Sequence, residues 1–379
     1  MNALANLDST GAALKAWLID HAYPLWWSLG TDRREGGVHE RLHQDGTPTG
    51  EARRSRLHPR QIYAFALARS LGWNGPSDTV VRHALSFYQK HYCRQDGLFS
   101  PSVDSNEPTL VYDQAFALLG LASACKVMSD RSLQNQARRL VATLRERFGH
   151  SEGGFKETFA DLALLLANSH MHLLEAALAW IDIDPSGPWF DLARDMANLA
   201  ATRFVDPSTR FVLEFFDSDW QPIEDPSTQR VEPGHQFEWA WLLLRWSVRS
   251  GDIDSRTLAL RLIDLAERHG VDRTRHVAIN ALSPNAIVRD ANARLWPQTE
   301  RIKANALAAE LTGESRYLIA ACEAANTLTR YLDVPLRGLW RDTMNADGEF
   351  VDEPAPASSM YHIVGAIVQL VTPSVTCPS

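Results

Sequence analysis

A short motif recurs along this chain at an interval too long for one helix and too short for a domain. Glu35-Gly36-Gly37-Val38-His39-Glu40 returns almost intact as Glu152-Gly153-Gly154-Phe155-Lys156-Glu157. Weaker echoes are Gly97-Leu98-Phe99, Arg210-Phe211-Val212-Leu213-Glu214, Arg275-His276-Val277-Ala278 and Gly338-Leu339-Trp340-Arg341-Asp342. Counted from positions 36, 97, 153, 210, 275 and 338, the spacings are 61, 56, 57, 65 and 63 residues. Between the echoes, apolar residues fall at i, i+3, i+4 and i+7, as in Ala115 to Val127, His172 to Trp180, Phe237 to Trp246 and Ala304 to Leu311. That period belongs to helices with one buried face. Each interval holds two helices and their loops, so the chain reads as six helical hairpins.

A lone hairpin of this size cannot bury its apolar faces, so six must stack or close. The expectation is an all-α fold, an (α/α)6 barrel in which six hairpins form a closed toroid, with the Gly-aromatic-acid pieces as short β segments at one mouth. An open solenoid is the rival. Closure is favoured because the repeats stop at six and the histidine motifs described below lie in different hairpins. No Pro/Gly/Ser linker interrupts the pattern, which predicts one catalytic domain over residues 1–371. Residues 372–379, with two prolines and no periodicity, read as a flexible tail.

A formal net charge of −8 without a basic stripe gives no case for nucleic acid or an anionic membrane as partner. The start of the chain has no basic segment followed by an apolar one, and no apolar run approaches membrane-spanning length, so a cytoplasmic protein is expected. Cys93, Cys125, Cys322 and Cys377 form no Cys-x-x-Cys pair, which supports neither a disulfide framework nor a cysteine zinc site. There is no Gly-rich dinucleotide loop, Walker motif or Gly-x-Ser-x-Gly elbow, and nothing calls for a nucleotide, a flavin or a serine nucleophile. Arg53, Arg54 and Arg56 form a local cluster that is expected to cover a surface, with a phosphate contact as the alternative.

The chemistry concentrates in three histidine motifs. In Pro233-Gly234-His235-Gln236-Phe237-Glu238-Trp239, a Pro-Gly pair delivers a histidine into the first turn of an apolar helix, where the positive dipole is expected to favour the neutral, proton-accepting imidazole. In Asn168-Ser169-His170-Met171-His172-Leu173-Leu174-Glu175, spacings of four and three put Asn168, His172 and Glu175 on one face and turn His170 away. Asn168 or Ser169 is the expected N-cap. Ser358-Ser359-Met360-Tyr361-His362 repeats the arrangement with a capping serine, so the three histidines are expected at equivalent places in three hairpins. His172 with Glu175 and His235 with Glu238 share a His-x-x-Glu spacing. A metal site between facing helices is the lesser reading of it, and a glutamate orienting its histidine the favoured one. Of the twelve tryptophans, most are expected in the core and some as a stacking floor for a sugar ring.

Together with Arg60-Gln61-Ile62-Tyr63, Tyr112-Asp113-Gln114-Ala115-Phe116 and Arg294-Leu295-Trp296-Pro297-Gln298-Thr299-Glu300, these motifs make the chain resemble the N-acylglucosamine 2-epimerase superfamily over nearly its full length. That superfamily includes mannose isomerases and cellobiose 2-epimerases. The resemblance implies an (α/α)6 barrel that interconverts sugars at C1 and C2 with no nicotinamide cofactor and no obligatory metal. Carried over position by position, it makes His235 and His362 the acid/base pair and His172 a third histidine at the reacting end. Arg60, Tyr112, Asn168, Glu175, Glu238 and Trp296 become substrate-contacting residues.

A base would remove the C2 proton beside the carbonyl to give a cis-enediol whose oxygen charge Arg60 helps to stabilise. Returning the proton to C1 gives a ketose, and protonating C2 from the other face gives the epimer. The Arg294 to Glu300 segment looks most like the mannose isomerase-like branch, so aldose-ketose isomerisation of a free mannose-type sugar is expected. The alternatives are an N-acylglucosamine 2-epimerase, a mannose-6-phosphate isomerase if the arginines from Arg53 to Arg60 face the cavity, and an inverting glycoside hydrolase using carboxylates among Glu157, Glu175, Glu238 and Glu300. The sequence leaves the oligomeric state open.

Overall fold

The computed structural model describes residues 3–103, 105, 107–158, 164–225 and 228–372; all but the first residue of the expected tail lies outside them. Helices dominate. Six of them, Leu57–Ala66, Val111–Met128, Ala167–Ile181, Pro233–Ser250, Leu295–Thr312 and Ser359–Val371, form an inner ring in which each packs on the next. The ring closes, because Ser359–Val371 returns to Leu57–Ala66. An open solenoid is thereby excluded. Outer helices Ser77–Tyr92, Arg131–Phe148, Trp189–Leu199, Ile253–His269 and Ser315–Leu332 back the inner ones, and Ala3–Trp17 lies against Ser315–Leu332 and Ser359–Val371, completing an (α/α)6 barrel.

The division into inner and outer follows from the side chains. Arg131–Phe148 buries only one stripe, Leu133, Ala137, Leu140, Val141, Leu144 and Phe148, and leaves its arginines in water. Val111–Met128 buries nearly every residue from Asp113 to Cys125, as a helix enclosed on all sides must. Trp26, Trp180, Trp189, Trp220, Trp239 and Trp340 are fully buried core residues.

The recurrent motif is a tight return at the end of each outer helix. Its turning residue has left-handed φ in every hairpin: Gly37 (73°), Gly97 (83°), Gly154 (76°), Arg210 (68°), His276 (62°) and Gly338 (103°). The residues after the turn pair back on the helix end, as in Thr31 with Val38, Cys93 with Phe99, Gly149 with Phe155 and Val205 with Val212. The neighbouring inner helix then holds this return by its backbone. The Gln114 amide both accepts from Phe99 N (2.9 Å) and donates to Phe99 O (2.8 Å). Gln236 does the same for Val212, and Gln298 for Ala278. His170 occupies that role in the third hairpin, its Nε2 accepting from Phe155 N at 2.9 Å while Nδ1 donates to Leu166 O. Burial pulls His170 down to about 4, so it is the neutral acceptor the role requires.

The acid that ends the motif reaches the start of an inner helix. Glu157 accepts from Tyr112 N (3.1 Å) and from the Ser169 hydroxyl, and Asp342 accepts from the Ser359 hydroxyl (3.0 Å). These contacts displace the expected caps. Neither Ala167–Ile181 nor Ser359–Val371 has a side-chain N-cap: Leu166 and Ser358 hold the cap positions without a cap bond, and Ser169 and Ser359, inside the helices, turn their hydroxyls to the loop carboxylates. Short antiparallel pairs link neighbouring hairpins at this end: Arg41–Leu42 with Ala355–Pro356, Leu165–Leu166 with Phe215–Phe216, and Ala293–Arg294 with Thr343–Met344.

Candidate active site

The inner helices start at the mouth, and a cavity of about 310 Å³ lies among their first turns. Its lining takes side chains from all six inner helices: Arg60, Tyr112, Asn168 and His172, His235 and Glu238, Trp296, and His362, the last two on adjacent helices of the ring. Glu175 is not on the lining. It stands one turn deeper, behind His172. The three histidines sit at different depths, His235 third, His362 fourth and His172 sixth in their helices, so the expected equivalence does not hold.

His235 and His362 flank the Trp296 indole, with ring centroids 5.1 and 5.7 Å from it. Each engages a buried carboxylate through Nδ1, His235 donating to Glu214 (2.9 Å) and His362 to Glu300 (2.8 Å), which leaves Nε2 for the cavity. The pairs look alike, but the His235 imidazole is cationic and the His362 imidazole neutral. Burial works against the His235 imidazolium, yet Glu214, Glu232 at 3.7 Å and Glu238 outweigh it and push the ring up to about 10. His362 is held well below its ordinary value by burial, Arg60 and Lys303. The difference lies in the carboxylates. Glu300 already has a cation, Lys303, at 2.5 Å, whereas Glu214 has the second acid Glu232 beside it and His235 as its hydrogen-bonded cation.

The expectation of a neutral His235 is therefore overturned. A helix start contributes roughly 0.3–1 kcal/mol to such a charge, and it cannot compete with carboxylates in direct contact. The His-x-x-Glu reading also divides. Glu175 does orient its histidine, accepting from His172 Nδ1 at 3.2 Å, but Glu238 does not bond His235, and its Oε1 has no hydrogen-bond partner. Burial, with Glu300 and Glu175 nearby, holds Glu238 well above the usual carboxylate range, and its side chain lines the cavity.

Across the cavity, Arg60 Nη2 donates to the Tyr112 hydroxyl (2.9 Å) and its guanidinium lies 3.9 Å from the Phe116 ring centre. Burial lowers His172 to about 4 despite Glu175, so it too is neutral. Asn168 Oδ1 has no hydrogen-bond partner.

Beneath these groups lies a layer of charge. Glu175 accepts from the Tyr361 hydroxyl as well as from His172, Glu300 pairs with Lys303, and the Lys303 ammonium sits 3.9 Å from the Trp241 ring centre. A separate cavity of about 330 Å³, lined by Tyr63, Glu175, Trp241 and Gly365 among others, opens on the far side and shares no lining residue with the first. Donor atoms of His172, Glu175 and Glu238, and those of Glu238, Glu300 and His362, lie within 4.8 Å of one another, so either trio has the spacing to hold a cation. Lys303 is the cation that this cluster already contains.

Of the arginine cluster, Arg54 and Arg56 line the cavity, which corrects the surface reading, while Arg53 pairs with Asp32 on a separate surface cleft. Of the four glutamates weighed for a hydrolase, only Glu238 is on the lining. Sequence reasoning missed Glu214, Glu232, Lys303 and Arg230. Glu214 was within reach, being the acid of the recurrent motif; Lys303 reads in sequence as an ordinary helical lysine and carried no signal. Among the described residues, no helix is long and apolar enough to cross a membrane.

Residues 36–366 match the model of the N-acylglucosamine 2-epimerase (GlcNAc 2-epimerase) family. A Rhizobium meliloti (strain 1021) protein named mannose-6-phosphate isomerase is 41% identical over 94% of this chain and 95% of its own length. A solved D-mannose isomerase superposes with a TM-score of 0.88 at 21% identity, covering 95% of this chain and 97% of the other. The cellobiose 2-epimerase of Bacillus thermoamylovorans B4167 gives 0.86 at 18% identity, with coverage of 96% and 99%. At these identities, the two structures speak to fold alone.

Proposed function

The chain belongs to the N-acylglucosamine 2-epimerase family, whose members are sugar isomerases and epimerases, and within it we propose an aldose-ketose isomerase of mannose-type monosaccharides, acting as one domain through His362 and His235. The observation that carries this reading is the Trp296 indole flanked by two imidazoles in opposite protonation states.

The open-chain aldose lies over Trp296 with C1 and C2 between the histidines. Neutral His362, its Nδ1–H fixed on Glu300, takes the C2 proton at Nε2. Charge moves to the carbonyl oxygen, where the His235 imidazolium and Arg60 meet it with hydrogen bonds. The His235 imidazolium gives its proton to that oxygen and takes up the proton of the C2 hydroxyl, while His362 returns the carbon-derived proton to C1, and the ketose forms. The unpartnered Glu238 Oε1 and Asn168 Oδ1 hold sugar hydroxyls. Epimerisation would instead have the His235 imidazolium protonate C2 from the face opposite His362. The isomerase name of the 41%-identical relative favours the ketose outcome.

Incubation with mannose, fructose, glucose and N-acetylmannosamine in D2O, followed by NMR, tests the reading. A ketose from mannose with deuterium at C1 or C2 is expected. Turnover of N-acetylmannosamine alone would turn the assignment to 2-epimerisation, and absence of exchange with every sugar and its 6-phosphate would falsify the enediol route.

The pH dependence follows from His235. A group whose folded pKa is raised to about 10 gives stability that is fully present below its unfolded value near 6.5 and is lost as pH rises through about 10. The acid needed for catalysis disappears over the same range. We expect kcat/KM to fall on an alkaline limb near pH 10 and Glu214→Gln to move that limb to lower pH. A limb that stays in place in the variant would remove His235 from the acid role.

A further inference from the structure

The mouth of the sugar cavity carries more positive charge than a neutral sugar needs. Besides Arg60, five arginines line it, Arg41, Arg54, Arg56, Arg230 and Arg294, against two carboxyl groups, Glu232 and Glu238. Several of the arginines are loosely held. Arg56 has its acid partner Asp113 at 3.4 Å, and Arg41 has Glu51 at 3.4 Å and Glu353 at 4.0 Å, with an Nε that makes no hydrogen bond. A committed charge-assisted pair closes to about 2.7–2.9 Å. Arg54 is forked onto the buried Glu40 through Nε and Nη2, and Arg230 is committed to Glu232 at 2.7 Å. Guanidiniums that line a cavity with N–H groups to spare are sites waiting for an anion.

Their placement says which end of the substrate bears it. His235, Trp296 and His362 come from the fourth, fifth and sixth hairpins, whereas Arg41, Arg54 and Arg56 belong to the segment leading into Leu57–Ala66, the first inner helix, which stands across the ring from the His235 helix. With C1 and C2 over Trp296, the far end of the carbon chain points to these three. A carboxylate would be satisfied by one forked arginine. Three guanidiniums arriving from separate backbone positions, at a mouth onto which the inner helix N-termini converge, match the three oxygens of a phosphate dianion.

We propose that Arg41, Arg54 and Arg56 form a phosphate subsite and that the preferred substrate is an aldose carrying a phosphomonoester on its terminal carbon. This assignment rests on the isomerase reading above and adds its substrate class.

The test compares the intact protein on D-mannose 6-phosphate and D-mannose, with inorganic phosphate as competitor. The expected kcat/KM is at least about tenfold higher for the phosphorylated sugar, as one charge-assisted contact provides, and inorganic phosphate inhibits competitively. Arg41→Met and Arg56→Met should each lower the ratio of the two kcat/KM values by about tenfold or more through KM for the phosphorylated sugar, with Arg56→Lys recovering part of it. Arg41→Met matters because Arg56→Met strands the buried Asp113 and so tests folding as well. Equal kcat/KM for both sugars, or a ratio that neither substitution moves, overturns the subsite while leaving the isomerase standing. Failure of both sugars to exchange hydrogen at C2 overturns the isomerase and the subsite with it.

Discussion

Replacing His362 with asparagine is expected to lower kcat for aldose-ketose interconversion by about 10²–10⁴-fold, the range typical of losing a positioned general base. His362 is the neutral imidazole of the pair, its Nδ1–H held by Glu300 and Nε2 left for the cavity, so no neighbouring group duplicates it. His172 is neutral as well, but its ring lies against Tyr112 and Phe116, on the other side of the ring from Trp296. Asparagine keeps a polar group facing Glu300 and so limits the structural damage. KM should change far less than kcat, because proton abstraction matters in the transition state and hardly in the ground state. Deuterium wash-in at C2 of mannose in D2O should fall in step with kcat. A variant that keeps wash-in within a few-fold of the parent would mean that another group takes the proton.

Lys303→Met is expected to have the largest effect on stability, roughly 3–5 kcal/mol, because it leaves buried carboxylates without their cation. Lys303 and Glu300 are both almost fully buried and 2.5 Å apart, and Glu175 and Glu238 crowd the same layer. The consequence extends to chemistry. Lys303 is one of the charges that hold His362 low, so its loss lets that ring keep a proton to higher pH. Urea unfolding should register the first effect and an acid limb of kcat/KM displaced toward neutral pH the second. Unchanged unfolding together with an unmoved acid limb would show that the carboxylates find compensation elsewhere.

The fold was legible because its repeat is a backbone requirement. A tight return with left-handed φ follows each outer helix, and where glycine fills that position the echo stands out in sequence. The echoes at Arg210 and His276 are faint because non-glycine residues adopt the same conformation there. The site was legible in its members and not in its charge states. His235 and His362 declare themselves by their places near helix starts, and Arg60 and Trp296 through the family resemblance, but Glu214 lies 21 residues before His235, and the loop between them must fold back to bring it to 2.9 Å. The misread caps have a similar origin, since the hydroxyls of Ser169 and Ser359 answer to acids from remote loops. Lys303 could not be singled out, because nothing in a helical lysine announces complete burial.

The charged layer of Glu175, Tyr361, Glu300 and Lys303 separates two cavities that have no wall residue in common. The barrel is thus a cup and not a tunnel. Whatever enters at the arginine rim must leave by the same doorway, so one sugar has to depart before the next arrives, and aldose and ketose contend for a single vacancy in both directions of the reaction.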